Sequence, residues 1–312
     1  MTRSPCPDTV TTMISLEQRQ PETPYDHIEA NGTRFACVQL GAGSPVVFVH
    51  GGVSDITIWD PILDPVARSH RAIAYSRRWA WPNQPIPEGV ADTLDIHARD
   101  LAAIIETLKL GAVDLVGNSW GGFVSLIVAR DRPELVRRLV LQEPPVVTLF
   151  MGAPPGPSGL LKTLVSKPRV GIPLARMVFT GLAPTEALVK KGRAEESVQH
   201  FVRRVALGDV GYDELPGWVK EHMRLNIGTH IAQFQNRGGF IPFTARDARS
   251  ITKPTLVMKG ERSPEALKVL ADELARLLPY ARTIEIPKAS HVMHVANPAA
   301  TAKAITDFLA GS

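Results

Sequence analysis

Two hydrophobic rhythms alternate along this chain: short continuous apolar runs, and longer stretches in which apolar residues recur every three or four positions. The run Val46-Val47-Phe48-Val49, inside residues 45–50, carries no polar alternation. That is the pattern of a strand covered on both faces. Strand-like segments over 71–76, 113–117, 138–142, 255–258 and 281–286 predict further strands. Between them, Leu94, Ala98, Leu101, Ile105 and Leu108 form one apolar stripe at helical spacing, stopped by Gly111. A helix is also predicted from Ser119 until just before Pro133, another over 264–278, and a last one opened by Asn297 and Pro298. Ahead of all these, 27–30 and 34–40 flank Asn31-Gly32, a strong hairpin signal.

Strands alternating with helices predict a parallel α/β sheet with right-handed crossovers. The alternation stops between Pro144 and Phe243, where helical segments such as 186–207 and 214–225 are separated by Pro and Gly clusters. The expected organisation is an N-terminal arm over 1–25, a core over 26–145, a helical lid over 146–243, and the rest of the core over 244–312. No internal repeat or low-complexity tract interrupts it.

Composition narrows the class. At 312 residues, with 44% hydrophobic and 21% charged residues, the chain can bury the core of one large catalytic domain. The formal charge of +4 is spread without a long basic run, so no nucleic-acid partner is expected. No apolar stretch reaches the roughly 20 residues needed to span a bilayer, and 1–24 lacks a signal-peptide core. The expectation is a cytoplasmic protein with a small-molecule substrate and no membrane partner; a homodimer is compatible with it. The two cysteines, Cys6 in the Pro-rich arm and Cys37 in a strand-like run, read as free thiols.

Chemistry concentrates at a few turns. Gly117-Asn118-Ser119-Trp120-Gly121 matches the nucleophile-elbow pattern G-x-S-x-G between a predicted strand and a predicted helix. So sharp a turn needs flanking glycines, lifts the serine hydroxyl above the sheet, and aims a helix N-terminus at the reacting carbonyl. His50-Gly51-Gly52-Val53 follows the apolar strand, where small residues let backbone N–H groups approach a substrate oxygen; alone it would read as an ordinary turn. The N–H groups of Gly52 and Trp120 are the expected oxyanion hole.

On these residues the chain resembles the α/β-hydrolase superfamily from about His27 to its end. The resemblance implies an eight-stranded, mostly parallel sheet flanked by helices, with a helical lid after the sixth strand. It also implies a late histidine as general base, and His291 in Ala289-Ser290-His291-Val292-Met293-His294 stands where that base belongs. His294 is its competitor, with a helix-approach or lid contact as the plainer reading. No metal is expected, since neither H-E-x-x-H nor a third ligand accompanies the two histidines.

The acid departs from the commonest family pattern. After the seventh strand the chain reads Gly260-Glu261-Arg262-Ser263-Pro264, with Ser263 where an aspartate usually stands. Serine cannot supply the charge that stabilises a histidinium. Glu143, after the sixth strand, is the favoured candidate, and its spacing from the elbow is similar to that in fungal zearalenone lactonases. Haloalkane dehalogenases also include members with the acid at this place. Glu261 is the alternative.

Val53, Trp218 and Met223 are expected to touch substrate, and Phe201 and Phe240 are apolar enough to join them, although packing lid to sheet is the plainer role for each. Lys190, Lys191, Arg193, Arg203 and Arg204 could favour an anionic substrate or simply form a solvated face. Gly41-Ala42-Gly43 precedes a strand rather than following one, so no dinucleotide or other cofactor is expected.

The expected reaction is hydrolysis of a carboxylic ester or lactone through an acyl-enzyme on Ser119. Carbon–carbon or amide hydrolysis on the same residues is the alternative within the class, and a ligand-sensing hydrolase-fold protein with little turnover is the alternative outside it. A carboxylate-nucleophile enzyme is disfavoured by the serine at the elbow.

Overall fold

Asn31 and Gly32 both adopt positive φ (44° and 67°), the backbone a tight two-residue hairpin turn requires, and they join strand β1 (Asp26–Ala30) to β2 (Thr33–Leu40). This is a computed structural model that describes residues 25–207, 212–235 and 239–311. Cys6 and the arm before Tyr25 lie outside those residues. Cys37, in β2, is buried and unbridged, and burial with the nearby Asp26 charge pushes its thiol up to about 11.

Six further strands complete the sheet: β3 (Pro45–Val49), β4 (Arg71–Tyr75), β5 (Val113–Asn118), β6 (Val136–Gln142), β7 (Thr255–Gly260) and β8 (Ala281–Ile286). Their order is β1-β2-β4-β3-β5-β6-β7-β8. β1 and β2 run antiparallel to their neighbours, and every pairing from β4 to β8 is parallel. The result is an eight-stranded, mostly parallel α/β sheet flanked by helices, as the resemblance implied. It leaves β3 toward β4 on one side and returns to β5 on the other, so the switch point lies between β3 and β5, where ligand sites form in such sheets.

The apolar runs are explained by their two faces. Val47 and Val49 of β3 pack with helices α2 (Leu94–Thr107) and α3 (Trp120–Asp131), while Val46 and Phe48 pack with α1 (Asp60–Ala67) and α14 (Pro298–Ala310). Both sets are fully buried, and each such side chain contributes roughly 1.5–3 kcal/mol of burial. α2 starts at Leu94, the first residue of its stripe, where Thr93 caps it by accepting from the Ile96 N–H, and Asp92 is left outside the helix.

Between β6 and β7 the described residues form no strand but a series of helices: α4 (Thr148–Met151), α5 (Pro157–Ser166), α6 (Pro168–Met177), α7 (Ala183–Lys190), α8 (Ala194–Phe201), α9 (Gly217–Leu225), α10 (Ile227–Gln235) and α11 (Ala245–Ser250). The helix predicted over 186–207 is in fact broken. Gly192 takes φ 70° after Lys191, and α8 then relaxes into a π turn, Val202–Ala206. The helix predicted from Glu214 begins only at Gly217, after Pro216. α12 (Glu265–Leu277) and α13 (Met293–Ala296) complete the fold around β8. No helix among the described residues is long and apolar enough to cross a membrane.

Candidate active site

Ser119 stands between the last residue of β5 and the first of α3 with φ 51° and ψ −120°, a conformation costly for any residue with a side chain. Its surroundings hold it there. The Ser119 N–H donates to the Gln142 carbonyl of β6 at 2.8 Å, and the Ser119 carbonyl accepts from Phe123 N–H at 3.1 Å, starting the helix. A Cβ on Gly121 would lie 2.0 Å from the Val49 carbonyl oxygen, and one on Gly117 would meet Gly122 at 2.6 Å. The elbow therefore packs directly against the end of β3, as the motif requires.

Glu143 is the second strained position, at φ 46° one residue past β6. This turn sends its carboxylate sideways to the end of β7. Its backbone N–H donates to Met258 O at 3.3 Å, and its Oε1 accepts from the Gly260 N–H at 2.9 Å. Oε2 lies 2.7 Å from His291 Nδ1. Glu143 is fully buried and His291 nearly so. A charged acceptor on Nδ1 makes that nitrogen the donor, which leaves the Nε2 lone pair available to take a proton.

The His291 backbone is tied to the elbow as well, since Asn118 Nδ2 donates to the His291 carbonyl at 3.0 Å. Serine, acid and histidine are thus linked through neighbouring backbone groups. Among the described residues, Ser119 Oγ makes no direct hydrogen bond to His291; such contacts commonly tighten only when substrate is bound.

Glu261 sits elsewhere. Its carboxylate accepts from the Lys288 N–H at 2.6 Å on an exposed turn, so the structure pairs Glu143, not Glu261, with the ring. Ser263 is buried close to Gly260. His294 is a core residue: its Nδ1 donates to Gln142 Oε1 at 2.8 Å, its ring lies 4.5 Å from Trp59, and burial followed by the His291 charge pushes its pKa down to about 3. Among the described residues no group of three or more His, Cys, Asp or Glu side chains gathers as a metal site would.

The loop after β3 brings Gly51 against the elbow, where a Cβ would fall 3.1 Å from Ser119 Cβ. Beneath it lies the fully buried Arg77, whose Nε and Nη2 donate to the carbonyls of His50 (3.1 Å) and Gly51 (2.9 Å), while its backbone N–H donates to His50 Nε2 at 2.8 Å. Arg77 thus holds both carbonyls, and because the N–H of a trans peptide opposes its C=O, the N–H groups of Gly51 and Gly52 point away from the guanidinium. Burial and the Arg77 charge keep His50 well below its usual pKa, so it serves as a neutral acceptor. Val53 is buried at φ 50°, a third strained position, unusual for a β-branched residue.

The helical insertion is clasped to this loop. Asp55, fully buried, receives the Thr57 N–H (3.0 Å) and hydroxyl (2.6 Å) locally. From α9 and the residue after it come His222 Nδ1 (2.9 Å) and Asn226 Nδ2 (2.7 Å). Asn226 Oδ1 in turn accepts from Trp81 N–H at 2.9 Å. A second tie joins Gln233 of α10 to Asp92, at 2.8 Å, and Gln233 Oε1 lies 3.3 Å from where a Gly52 Cβ would stand. Asp92 also contacts buried His97. Burial opposes charge on His222, but the hydrogen bond to Asp55 and its negative charge outweigh it and raise the ring above 6.5. Neither Asp55 nor Asp92, nor Arg77, His222, Asn226 or Gln233, was singled out from the sequence.

The expected substrate contacts divide. Met223 is buried in the same apolar cluster as Val53. Trp218 is 38% exposed, its ring edge toward His222. Phe201 packs on His230 and Phe234 within the insertion, whereas Phe240 reaches Trp120, the expected oxyanion donor, at 5.0 Å. Of the basic group, Lys190, Arg193 and Arg203 pair with Glu186, Glu196 and Asp213 on the surface.

Comparison with known proteins agrees with the fold. The family model described as the alpha/beta hydrolase family matches residues 46–304. The 2-(acetamidomethylene)succinate hydrolase of Mesorhizobium japonicum is 26% identical over 273 residues, covering 87% of this chain and 90% of that protein. The 2-hydroxy-6-oxo-2,4-heptadienoate hydrolase of Pseudomonas putida is 39% identical over 115 residues, 36% of this chain and 41% of the relative. Among solved structures, the enol-lactonase of Burkholderia xenovorans superposes with a TM-score of 0.69 at 17% identity, covering 91% of this chain and all of that one, which speaks for the fold alone.

Proposed function

The chain belongs to the alpha/beta hydrolase family, and from that premise we propose that it is a serine hydrolase cleaving a carboxylic ester or lactone, with Ser119 as nucleophile, His291 as base and Glu143 as acid. The observation that carries the proposal is the Glu143–His291 pair at 2.7 Å, buried beside a strained serine at the sheet's switch point. In the first step His291 Nε2 takes the Ser119 proton while the oxygen adds to the carbonyl carbon. The resulting oxyanion is held by the N–H groups of Gly52 and Trp120, each worth about 2.7–4 kcal/mol in comparable sites. Collapse expels the alcohol, which takes its proton from His291, and leaves an acyl-serine. Water, deprotonated by the same ring, then releases the acid and restores the serine.

Carbon–carbon hydrolysis on the same three residues is the second reading, favoured by the relative from Pseudomonas putida, whose matched stretch is the more identical of the two. Its name implies an enol-keto acid substrate, which would need a cation for the carboxylate. The buried Arg77 already gives Nε and Nη2 to the oxyanion loop and has Asp92 near it, which leaves only its buried Nη1, without a hydrogen-bond partner among the described residues, for that part. An assay of short esters, long esters, macrolactones, amides and a vinylogous 1,5-diketo acid, each with wild type and Ser119→Ala, decides between the readings. Turnover of esters or lactones that vanishes in Ser119→Ala is the expected result. Exclusive turnover of the diketo acid would move the assignment to carbon–carbon hydrolysis, and ligand binding without turnover of any member would count against an enzyme.

A further inference from the structure

We propose that the α5–α6 hairpin of the insertion is a docking surface for an anionic lipid bilayer. Its buried side is ordinary: Leu160 and Thr163 of α5, and Val170, Leu174 and Met177 of α6, face the core. The opposite side is not. Leu161 is 63% exposed, Val165 78%, Ile172 63% and Phe179 68%. These four account for half of the large apolar side chains exposed among the described residues.

Helix geometry places them together. The two helices touch where Gly171 meets Leu164, so closely that a Cβ on Gly171 would fall 2.5 Å from Leu164 Cα. Val165 and Ile172 each follow the contact residue of their own helix by one position. At about 100° per residue, each turns away from the buried residue just before the contact, Thr163 in α5 and Val170 in α6, and so to the solvent side of the seam. Leu161 lies one turn before Val165, and Phe179 two turns beyond Ile172, in the π turn Val178–Leu182 that continues α6. The result is one apolar ridge along both helices.

Its rim is basic. Between Glu143 and Glu186 the sequence contains no acidic residue, but it contains Lys162, Lys167, Arg169 and Arg176. Lys167 is paired with Glu273. Lys162, Arg169 and Arg176 are exposed and have no carboxylate partner among the described residues. Apolar side chains that enter the headgroup region, ringed by cations that meet lipid phosphates, are what holds a helical element at an anionic membrane surface. The expectation of no membrane partner rested on the missing spanning stretch, and surface adhesion does not need one. The hairpin follows Glu143 and α4 in the chain, so docking would hold the enzyme at a surface that carries lipid-dissolved esters.

The test is co-sedimentation of the full chain with vesicles of phosphatidylcholine alone and of phosphatidylcholine mixed with phosphatidylglycerol, at low and high salt. Binding to the mixed vesicles is expected, weaker by more than about tenfold on neutral vesicles or at high salt. Two variants, Ile172→Ser/Phe179→Ser and Lys162→Glu/Arg169→Glu/Arg176→Glu, should each lose it while keeping the wild-type melting temperature, since every altered side chain is exposed. Absence of wild-type binding, equal binding to neutral vesicles, or full binding by both variants overturns the proposal. So does a concentration-dependent dimer that Ile172→Ser/Phe179→Ser dissociates without any vesicle binding, which would assign the ridge to a second copy of the chain.

Discussion

The two halves of the candidate site are held by different physics. On the sheet side, Ser119 and Glu143 sit at positive φ at the ends of β5 and β6, and backbone hydrogen bonds from neighbouring strands fix both. On the insertion side, α9 and α10 are tied to the core by polar side chains, through Asp55, Asp92 and the Trp81 N–H, beside apolar contacts such as that of Met223 with the cluster of Val53. Strained backbone within a packed sheet has one arrangement. A clasp of five polar side chains can open without unfolding the sheet, so the sheet half is suited to hold the reacting groups still and the insertion half to admit substrate.

The sharpest way to break this comparison is to remove the reacting groups. Ser119→Ala or His291→Ala should lower kcat by roughly a millionfold, with thermal stability close to wild type, as measured by ester turnover and melting curves. Glu143→Gln should cost about 10⁴-fold, because the amide leaves His291 without the charge that stabilises its protonated form. Glu261→Gln, removing only an exposed contact to Lys288 N–H, should leave kcat unchanged. Equal kcat in Glu143→Gln and wild type would contradict the sheet half of the account.

Smaller effects test the clasp. Asp55→Ala strands two donors of the insertion and should destabilise by about 1–3 kcal/mol, raising KM more than it lowers kcat. A loss confined to kcat would mean that Asp55 acts on the chemistry instead. The smallest effect is one of pH. His222 has a folded pKa raised above 6.5, so its contribution to stability is complete below that value and is lost as pH rises through the higher folded value. Melting temperature should therefore fall across that interval in wild type and be flatter in His222→Gln. Parallel profiles for the two proteins would remove His222 from the clasp.

The same division explains what could be read from sequence. The elbow, the hairpin and the buried strands depend on residues adjacent in the chain, and glycine spacing and apolar runs report those directly. Glu143 was legible only as an acid at a strand end; its positive φ and its reach to Gly260 depend on β7, more than a hundred residues later. The clasp joins Asp55 to His222 and Asn226, a partnership invisible to local pattern. One signal existed: Asp55 is a lone acid among Val53, Ile56, Ile58 and Trp59, and a buried acid needs partners from elsewhere in the chain. Polar residues four apart at the end of a helix, as His222 and Asn226 are, would be the place to look for them.

Active-site labelling measures the central claim most directly. A fluorophosphonate, which phosphonylates only a serine activated by a neighbouring base, should add once to the wild-type chain, with peptide mass analysis placing the adduct on Ser119. Labelling should be absent in Ser119→Ala and greatly slowed in His291→Ala. An adduct on another residue, or undiminished labelling of Ser119 in His291→Ala, would contradict the account.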